Sequence, residues 1–296
     1  MVNKTRAMVM LMISALCYAL LNVVARLLNL GFEPMTQTYL RIFLGAVVVG
    51  MIFSRKIRWS RLSHIPKQDW IYLTIIGVLG YGLMVYFISM GAIRAKLLNV
   101  AVVYATITMF TYLYSLIFFR KKFRWSIMII LFISLFGVAV LASKSYIPQL
   151  DHFGIGELFV LISAAMGAWY AVARKKLSTY LNNAEISFIV MSIASIATFL
   201  LALISGESFS FSSFSIPGVF IGLLLGATLN IISTYAENYA FQHIDAVVGN
   251  QMLLSENIFA LVLGLTLYKE VVTPPELVGA VIIVGSVYVM NRMEKG

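Results

Sequence analysis

Two carboxylic acids, Glu237 and Glu256, lie inside long apolar stretches of this chain and are the residues there most able to do chemistry. Glu256 belongs to 250-NQMLLSENIFALVLGLTLYKE-270, which has the length of a membrane-crossing helix. At about 1.5 Å per residue it lies roughly 16 Å from Asp245 and roughly 20 Å from Lys269, near the middle of a hydrocarbon layer about 30 Å thick. An ionised carboxyl group at that depth costs about 3 kcal/mol or more, so it indicates binding of a cation or a proton.

Small and polar side chains share one face of the helix that contains Glu256. At 100° per residue, an arc of about 120° collects Gly249, Asn250, Leu253, Glu256, Asn257, Ala260 and Gly264. Such a face is typical of a solute pathway, but also of a seam where small residues let helices approach and Asn bonds across. The pattern favours neither interpretation for Asn250 and Asn257, whereas the cost of burying Glu256 favours the pathway.

A second stripe of this kind contains Glu237. A strip of its helix surface about 60° wide contains Gly226, Asn230, Ser233, Thr234, Glu237 and Phe241. Glu237 is only about 9 Å from His243, so its carboxyl group could instead extend to the membrane surface. Asn230 and Glu237 are therefore candidates for the pathway, with such snorkelling as the alternative for Glu237.

Aromatic residues lie inside the apolar stretches rather than only at their ends. They are Tyr18, Tyr81, Tyr86, Tyr104, Tyr112, Trp169, Tyr170, Tyr235 and Tyr239. Most such residues in membrane proteins are packing or interfacial residues. Those that face a cavity would favour a cation through cation–π contact, and the candidates are Tyr18, Tyr81, Tyr104 and Trp169.

Arg41 is the one basic residue predicted deep in an apolar stretch. It could hold a substrate carboxylate, but pairing with an acidic neighbour is the expected role. A buried phosphate needs several Lys or Arg donors, so phosphorylated substrates are not expected.

The composition identifies an integral membrane protein. Apolar residues make up 61% of the 296 residues and charged residues only 11%, with a mean hydropathy of +0.93, whereas soluble domains carry about 25% charged residues. The apolar runs are near 20 residues long and lack the alternation of a barrel strand. The first run is too long for a signal-peptide core, so it is interpreted as the first span.

Other classes of ligand are not indicated. Cys17 is the only cysteine, so neither an intrachain disulfide nor a thiolate metal cluster can form, and no cofactor or metal is expected. The net charge of +10 comes from short loops beside apolar helices, which suits anionic lipid headgroups and not a nucleic acid. The expected partners are a small-molecule substrate and the lipid bilayer, and the protein is expected to be a monomer or a homodimer.

Ten spans follow from the apolar runs. They are predicted near residues 7–27, 36–53, 70–90, 97–118, 125–143, 155–173, 184–205, 215–241, 245–267 and 274–291. The last span has a clear start, because Thr273 and Glu276 form a capping box with Pro274 at the first helical position.

The distribution of basic residues predicts the orientation. If the N-terminus is cytoplasmic, 16 of the 22 Lys and Arg residues fall on the cytoplasmic side, Lys295 among them. The positive-inside rule then places both termini in the cytoplasm, with the protein as a multi-pass protein of the cytoplasmic membrane.

The chain resembles itself at a shift of 148 to 149 residues. Near the start of each half 13-ISA-15 matches 162-ISA-164, and near the ends Lys122 falls on Glu270 and Gly137 on Gly285. We therefore predict two five-helix repeats, residues 1–148 and 149–296. Because five spans per repeat is an odd number, the repeats are inverted, an arrangement typical of secondary transporters with a binding site near the midplane.

Thr108 stands at the repeat position of Glu256, on a helix face that also holds Tyr104, Thr111 and Ser115. Tyr104 and Thr108 are therefore further candidates for binding. We therefore expect the binding site to be acidic on the side of the second repeat and polar but uncharged on the side of the first.

Three stretches, 15-ALCYALLNVVAR-26, 39-YLRIFLGA-46 and 254-LSENIFALVLGLTLYKE-270, resemble the ten-helix drug/metabolite transporter superfamily of the EamA-domain type. The chain departs from the family pattern at Asn257, where the family commonly has Pro, and in 107-ITMFTYLYSLIFFRKK-122, which lacks the familiar Pro and Gly-Glu ending. The resemblance implies a carrier of the cytoplasmic membrane, most often an exporter of amino acids, metabolites or cationic drugs.

The leading hypothesis is a carrier for small cationic or zwitterionic organic compounds, amino acids or drug-like cations, that works by alternating access and is coupled to protons through Glu256. The alternative is uptake of a quaternary amine such as choline. An intramembrane enzyme or a channel is not favoured, because HExxH, GxSxG and a filter-like loop are absent from the sequence. The three histidines, His64, His152 and His243, are all predicted in loops.

Overall fold

The computed structural model describes residues 2–149, 153–269 and 271–293. These ranges are helical and contain no β-strand, and ten of their helical segments are long and apolar enough to cross a membrane. Seven spans are single helices: α1 (Val2–Leu28), α2 (Pro34–Ile52), α8 (Trp125–Ser143), α9 (Ile155–Lys176), α10 (Asn183–Ile204), α11 (Pro217–His243) and α14 (Pro274–Met293). The predicted all-α fold with ten spans is confirmed.

The other three spans are composite. Span 3 consists of α4 (Lys67–Thr74), a π-helix (Ile75–Leu83) and α5 (Met84–Arg94), and follows the short helix α3 (Trp59–Leu62). Span 4 consists of α6 (Leu97–Ala105) and α7 (Ile107–Phe118), and span 9 of α12 (Ala246–Leu253) and α13 (Glu256–Leu267).

The interruptions of spans 4 and 9, at Thr106 and Ser255, lie 149 residues apart, within the shift of 148 to 149 residues that relates the repeats. At both positions the backbone makes a tighter i→i−3 hydrogen bond. The Thr106 N–H donates to the Val103 carbonyl at 3.1 Å, and the Ser255 N–H donates to the Met252 carbonyl at 3.0 Å. Span 9 is thus divided by one tightened turn in which Leu254 and Ser255 keep right-handed helical backbone angles, and a shared face over residues 245–267 stays a prediction.

A side chain stabilises each interruption by bonding a backbone carbonyl next to it. Thr106 Oγ1 donates to the Val103 carbonyl at 2.6 Å, and Asn257 Nδ2 donates to the Leu254 carbonyl at 3.0 Å. Short polar side chains that bond locally in this way compete with the regular helical hydrogen bonds. Asn257 thereby has a structural contact at the position where the family commonly has Pro.

Equivalent pairs of helices pack against each other in the two halves. Span 1 packs on span 8 as span 6 packs on span 3, and span 1 contacts span 9 as span 6 contacts span 4. Spans 5 and 10 pack together, as do spans 2 and 7. This pattern is expected of two inverted five-helix repeats related by a pseudo-two-fold axis in the membrane plane.

Glycine allows the backbones of spans 5 and 10 to touch. A Cβ atom at Gly279 would lie 2.6 Å from the Leu141 nitrogen and 2.7 Å from the Gly137 oxygen, so no side chain fits there. Small residues at helix contacts of this kind drive association within a bilayer, where the hydrophobic effect does not.

We call the face of the bundle that holds the start of α1 and the end of α14 the terminal face. On this face Arg58 Nη2 and Glu185 Oε2 form an ion pair at 2.8 Å, which joins the segment after span 2 to the start of span 7. Hydrogen bonding to the Glu185 carboxylate raises the pKa of the Arg58 guanidinium. Glu185 also forms a capping box with Asn182 at the start of α10.

The start of α14 is as predicted from the sequence. Glu276 Oε2 accepts hydrogen bonds from the Thr273 backbone N–H and hydroxyl, both at 2.7 Å. His64 lies in a turn, whereas His243 is the last residue of α11 and not a loop residue. It is held in the helix because its Nδ1 atom lies 2.7 Å from the Tyr239 carbonyl of the preceding turn. His152, Glu270 and Lys295 lie outside the described residues, and the boundary at 148/149 stays a prediction.

Candidate solute-binding site

A polar stripe on span 1 holds the two membrane carboxylates. Ser14, Tyr18 and Asn22 follow each other at intervals of four residues and so lie on one face of α1. Ser14 Oγ donates a hydrogen bond to Glu237 Oε1 at 2.8 Å, and Asn22 Nδ2 donates one to Glu256 Oε1 at 3.0 Å. Since Ser14 and Asn22 are eight residues apart, the two carboxylates are held about 12 Å apart along the helix.

Glu237 is buried inside the bundle. Glu237 is only 4% exposed, and its carboxylate accepts a hydrogen bond from Ser14. The carboxylate therefore does not extend to the membrane surface, and the snorkelling alternative is wrong. The Tyr18 side chain lies beside the same carboxylate. Among the described residues no Lys or Arg forms an ion pair with Glu237, which leaves its charge available to another cation.

Glu256 lies at the interruption of span 9 and is half-buried. It is the first residue of α13, where the helix dipole favours a negative charge. Asn22, its hydrogen-bond partner, is exposed. No basic side chain in the described ranges pairs with Glu256 either.

Tyr81 and Asn230 form the centre of the site. The Tyr81 hydroxyl donates to Asn230 Oδ1 at 2.6 Å, and Asn230 Nδ2 donates to the Gly226 carbonyl at 2.8 Å. Tyr81 belongs to the π-helix of span 3 and is one of the buried residues of that segment. The pair joins the first repeat to the second.

Tyrosines from four spans surround Glu237. Its carboxylate is close enough to interact electrostatically with the phenol groups of Tyr18, Tyr81, Tyr104 and Tyr170. Tyr104 is also close enough to Glu256 to interact with it electrostatically. Of the ten predicted residues, the structure brings together Tyr18, Tyr81, Tyr104, Asn230, Glu237 and Glu256.

The other four predicted residues make contacts of their own. Thr108 Oγ1 donates to the Ala105 carbonyl at 3.1 Å, and Asn257 donates to the Leu254 carbonyl as described above. The Trp169 ring packs on Tyr114, with ring centroids 4.8 Å apart. A binding role for these residues stays a prediction.

Asn250, the fourth of them, joins spans 9 and 4 on the terminal half of the bundle. Its Nδ2 atom donates to Thr111 Oγ1 at 2.6 Å. Lys121 and Asp245 form an ion pair between the ends of the same two spans. These contacts hold the two repeats together at the terminal face.

A cavity of about 420 Å³ opens beside the ion pair of Lys121 and Asp245. Tyr112, Arg124 and Met290 also line it. None of the ten predicted binding residues does. The cavity is therefore a basic mouth at the terminal face, separate from the carboxylates.

Two polar residues that take part in the site were not predicted. Ser14 and Asn22 were missed, although their four-residue spacing with Tyr18 is a signal that could have identified them. The expected ion pair of Arg41 is also wrong, because no described acidic side chain pairs with it; its Nη2 atom donates only to Thr38 Oγ1 at 3.3 Å.

The described residues contain no group of three or more His, Cys, Asp or Glu side chains able to hold a metal ion. What they do contain is two inverted repeats, a helix interrupted at an equivalent position in each, and carboxylates within the spans. Together these features define a membrane transport protein.

Comparison with known proteins identifies the family. The profile of the EamA-like transporter family matches residues 5–143 and again residues 154–292, so the chain belongs to this family. This membership is consistent with the drug/metabolite transporter superfamily. The chain is similar to the protein named "Uncharacterized transporter YcxC" of Bacillus subtilis (strain 168), with 22% identity over 244 residues, 80% of this chain and 78% of the relative.

A solved crystal structure shares the fold. It superposes with a TM-score of 0.75 and 15% sequence identity, over 99% of this chain and 98% of the other. At that identity the likeness concerns the fold alone.

Proposed function

We propose that the protein is a secondary carrier that exports small cationic or zwitterionic organic metabolites by alternating access. The observation that carries this proposal is the pair Glu237 and Glu256. Both lie within membrane spans, both are held by neutral donors from span 1, and neither has a basic partner among the described residues. Ionisable residues inside a membrane are costly and usually mark a solute or proton pathway.

The surroundings of the two acids favour a cation. Ser14, Tyr18 and Asn22 offer hydroxyl and amide groups without neutralising either acid. A bound ammonium group would supply the missing positive charge. Amino acids and drug-like cations both carry such a group.

Alternating access is supported by the interrupted helices. Half-helices that end near the midplane let the two ends of a span move separately. Asn250 with Thr111, and Lys121 with Asp245, close the terminal face, while Glu256 lies on the other side of the interruption. Release of those contacts would open the site toward the terminal face.

We place the terminal face in the cytoplasm and the protein in the cytoplasmic membrane. The Arg- and Lys-rich segments near Arg58, Lys121 and Lys176 support this orientation through the positive-inside rule. Export follows the usual role of the superfamily that the sequence resembles. The protein acts as a monomer or a homodimer.

Uptake of a quaternary amine through an aromatic cage is less well supported. A cage requires ring faces around one centre, whereas the Tyr81 hydroxyl is bonded to Asn230 and the Tyr104 hydroxyl donates to Met84 Sδ at 3.4 Å. These tyrosines present polar groups to the site.

Counterflow in liposomes tests the proposed function. Purified protein is reconstituted and loaded in turn with a primary amine, an amino acid, choline and a carboxylate without an amine. We expect saturable exchange of the amine and the amino acid, no exchange of the carboxylate, and loss of exchange in Glu237→Gln. Glu33→Gln, at an exposed acid outside the spans, is the matched control and should exchange normally.

Exchange of the carboxylate alone, or normal exchange by Glu237→Gln, would contradict the proposal. A flux that does not saturate would indicate a channel. Chemical conversion of an added solute would indicate an enzyme.

A further inference from the structure

Arg41 is a half-buried arginine within span 2, and no described side chain balances its positive charge. No acidic side chain in the described part of the chain pairs with it. Its Nη2 atom makes one long hydrogen bond to Thr38, and its Nε atom is buried without any hydrogen-bond partner. A buried donor that lacks an acceptor is costly, more so when it is charged, so this group needs an anion that the chain does not supply.

The stem of Arg41 packs on span 8 next to the central site. A Cβ atom at Gly226 would lie 2.8 Å from Arg41 Cγ, so the stem of the arginine passes where only glycine leaves room. The Arg41 guanidinium is close enough to the Tyr81 phenol group to interact with it electrostatically. Since Tyr81 is bonded to Asn230, Arg41 stands at the edge of the site that also contains Glu237.

The positions of Arg41 and Glu237 can be compared along α11, because Gly226, on which the Arg41 stem packs, and Glu237 both belong to this uninterrupted helix. They are eleven residues apart, which corresponds to roughly 16 Å along the axis. A ligand that touches both side chains must therefore extend over about three turns of α11, past the hydrogen bond between Tyr81 and Asn230. An α-amino acid with an apolar side chain carries both charges around one carbon and is too short to touch both groups.

We propose that Arg41 binds the carboxylate of the transported solute, and that the preferred substrates are elongated zwitterions with the cationic group several bonds from the carboxylate. This inference rests on the proposed function, for which Glu237 receives the cationic end. Arginine suits the role because its planar guanidinium can bond both carboxylate oxygens at once, which lysine cannot do.

Counterflow with matched solutes tests the inference. The solutes are straight-chain ω-amino acids of increasing length, the monoamines of the same lengths, and the ω-amino carboxamides. In the wild type we expect exchange to rise with the length of the ω-amino acid and to favour it over its carboxamide. In Arg41→Gln we expect exchange of the ω-amino acids to fall about 10- to 100-fold, as for loss of a charged hydrogen bond, while exchange of the monoamines is unchanged.

Two variants serve as controls. Arg41→Lys keeps the charge but not the paired donors, so it should recover only part of the loss. Arg94→Gln removes an exposed arginine that bonds its own helix at the Met90 carbonyl, and it should behave as wild type. Should Arg41→Gln fail to fold, a thermal shift of the wild type decides instead, because only the longer ω-amino acids should stabilise it more than their monoamines.

The outcomes separate this inference from the proposed function. If monoamines exchange but Arg41→Gln affects them as strongly as the zwitterions, or affects neither, Arg41 has no carboxylate-binding role and the inference is wrong. If chain length has no effect, the elongated class is wrong. If the wild type exchanges neither amines nor zwitterions, the proposed function itself is wrong.

Discussion

Tyr81 and Asn230 are 149 residues apart, at equivalent positions of the two repeats, and their side chains are joined by a hydrogen bond of 2.6 Å. Two equivalent positions can touch only close to the axis that relates the repeats. The bond therefore marks the centre of the bundle, where the halves must shift against each other if access alternates.

We expect Tyr81→Phe and Asn230→Ala each to impair transport while folded protein stays in the membrane. Each removes one partner of a buried hydrogen bond, worth about 0.5–1.5 kcal/mol. Transport rates and thermal stability of the two single variants and the double variant form a double-mutant cycle. Strictly additive effects would mean that the bond does not couple the two repeats.

Glu256→Gln should abolish transport driven by a pH gradient and weaken binding of cations. The amide keeps the size of the side chain but can neither lose nor gain a proton. In the wild type a proton and a cation compete for the same carboxyl group, so acidification should weaken cation binding, and in the variant it should have less effect. Uptake into vesicles with an imposed pH gradient checks this.

Glu33→Gln, at an exposed acid, is the control for that experiment. Wild-type behaviour of Glu256→Gln across the gradient would mean that Glu256 has a packing role only. If the wild type itself shows no pH dependence, the protein is a facilitator and Glu256 a binding group.

Asn250→Ala should favour the state open at the terminal face. Its bond to Thr111 is one of the contacts that close this face, and polar contacts between membrane helices are worth about 0.6–1.7 kcal/mol. That corresponds to about a 3- to 17-fold faster labelling of a cysteine placed at Thr108. Unchanged labelling would show that the contact does not close the pathway, and Thr266→Ala, which removes a bond only within its own helix, is the control.

The orientation can be checked by cysteine labelling in a variant without Cys17. Ser60 lies in the short helix α3 on the terminal face, and Ser208 is exposed on the other face. A membrane-impermeant reagent should label a cysteine at Ser60 only from the cytoplasm and one at Ser208 only from outside. Labelling of both from one side would contradict the inverted arrangement.

Gly279→Ala should destabilise the protein by about 1–3 kcal/mol, the usual cost of overpacking. A methyl group there would lie 2.6 Å from a backbone nitrogen of span 5, which cannot move as a side chain can. Gly285→Ala on the same helix has nothing within 4 Å and is the control. Thermal unfolding in detergent should separate the two, and equal melting temperatures would mean that spans 5 and 10 pack less closely.

The fold was accessible from the sequence because hydropathy and length determine a membrane span, whatever the neighbours are. Glu237 and Glu256 were found for a similar reason, since a carboxyl group in an apolar run is conspicuous. The interruptions at Thr106 and Ser255 were not predicted from the sequence. Both residues are ordinary within a helix, and only the local backbone hydrogen bonds show the tightened turn.

Which side chains bond to each other was harder to predict than which residues belong to the site. Arg41 was expected to pair with an acid, but whether an acid lies within reach depends on which helices pack together, and the sequence does not give that. Trp169 could not be distinguished from a binding residue by its position, and its contact with Tyr114 became visible only in the structure.

The pair of Tyr81 and Asn230 also bears on how such a bundle can evolve. In a dimer of two identical five-helix chains, a position next to the axis would face a second copy of the same side chain. Two phenols or two amides would then meet, and any change would alter both walls at once. Joining the halves in one gene removes that restriction, so that a donor can face an acceptor and each wall can adapt to a different end of the solute.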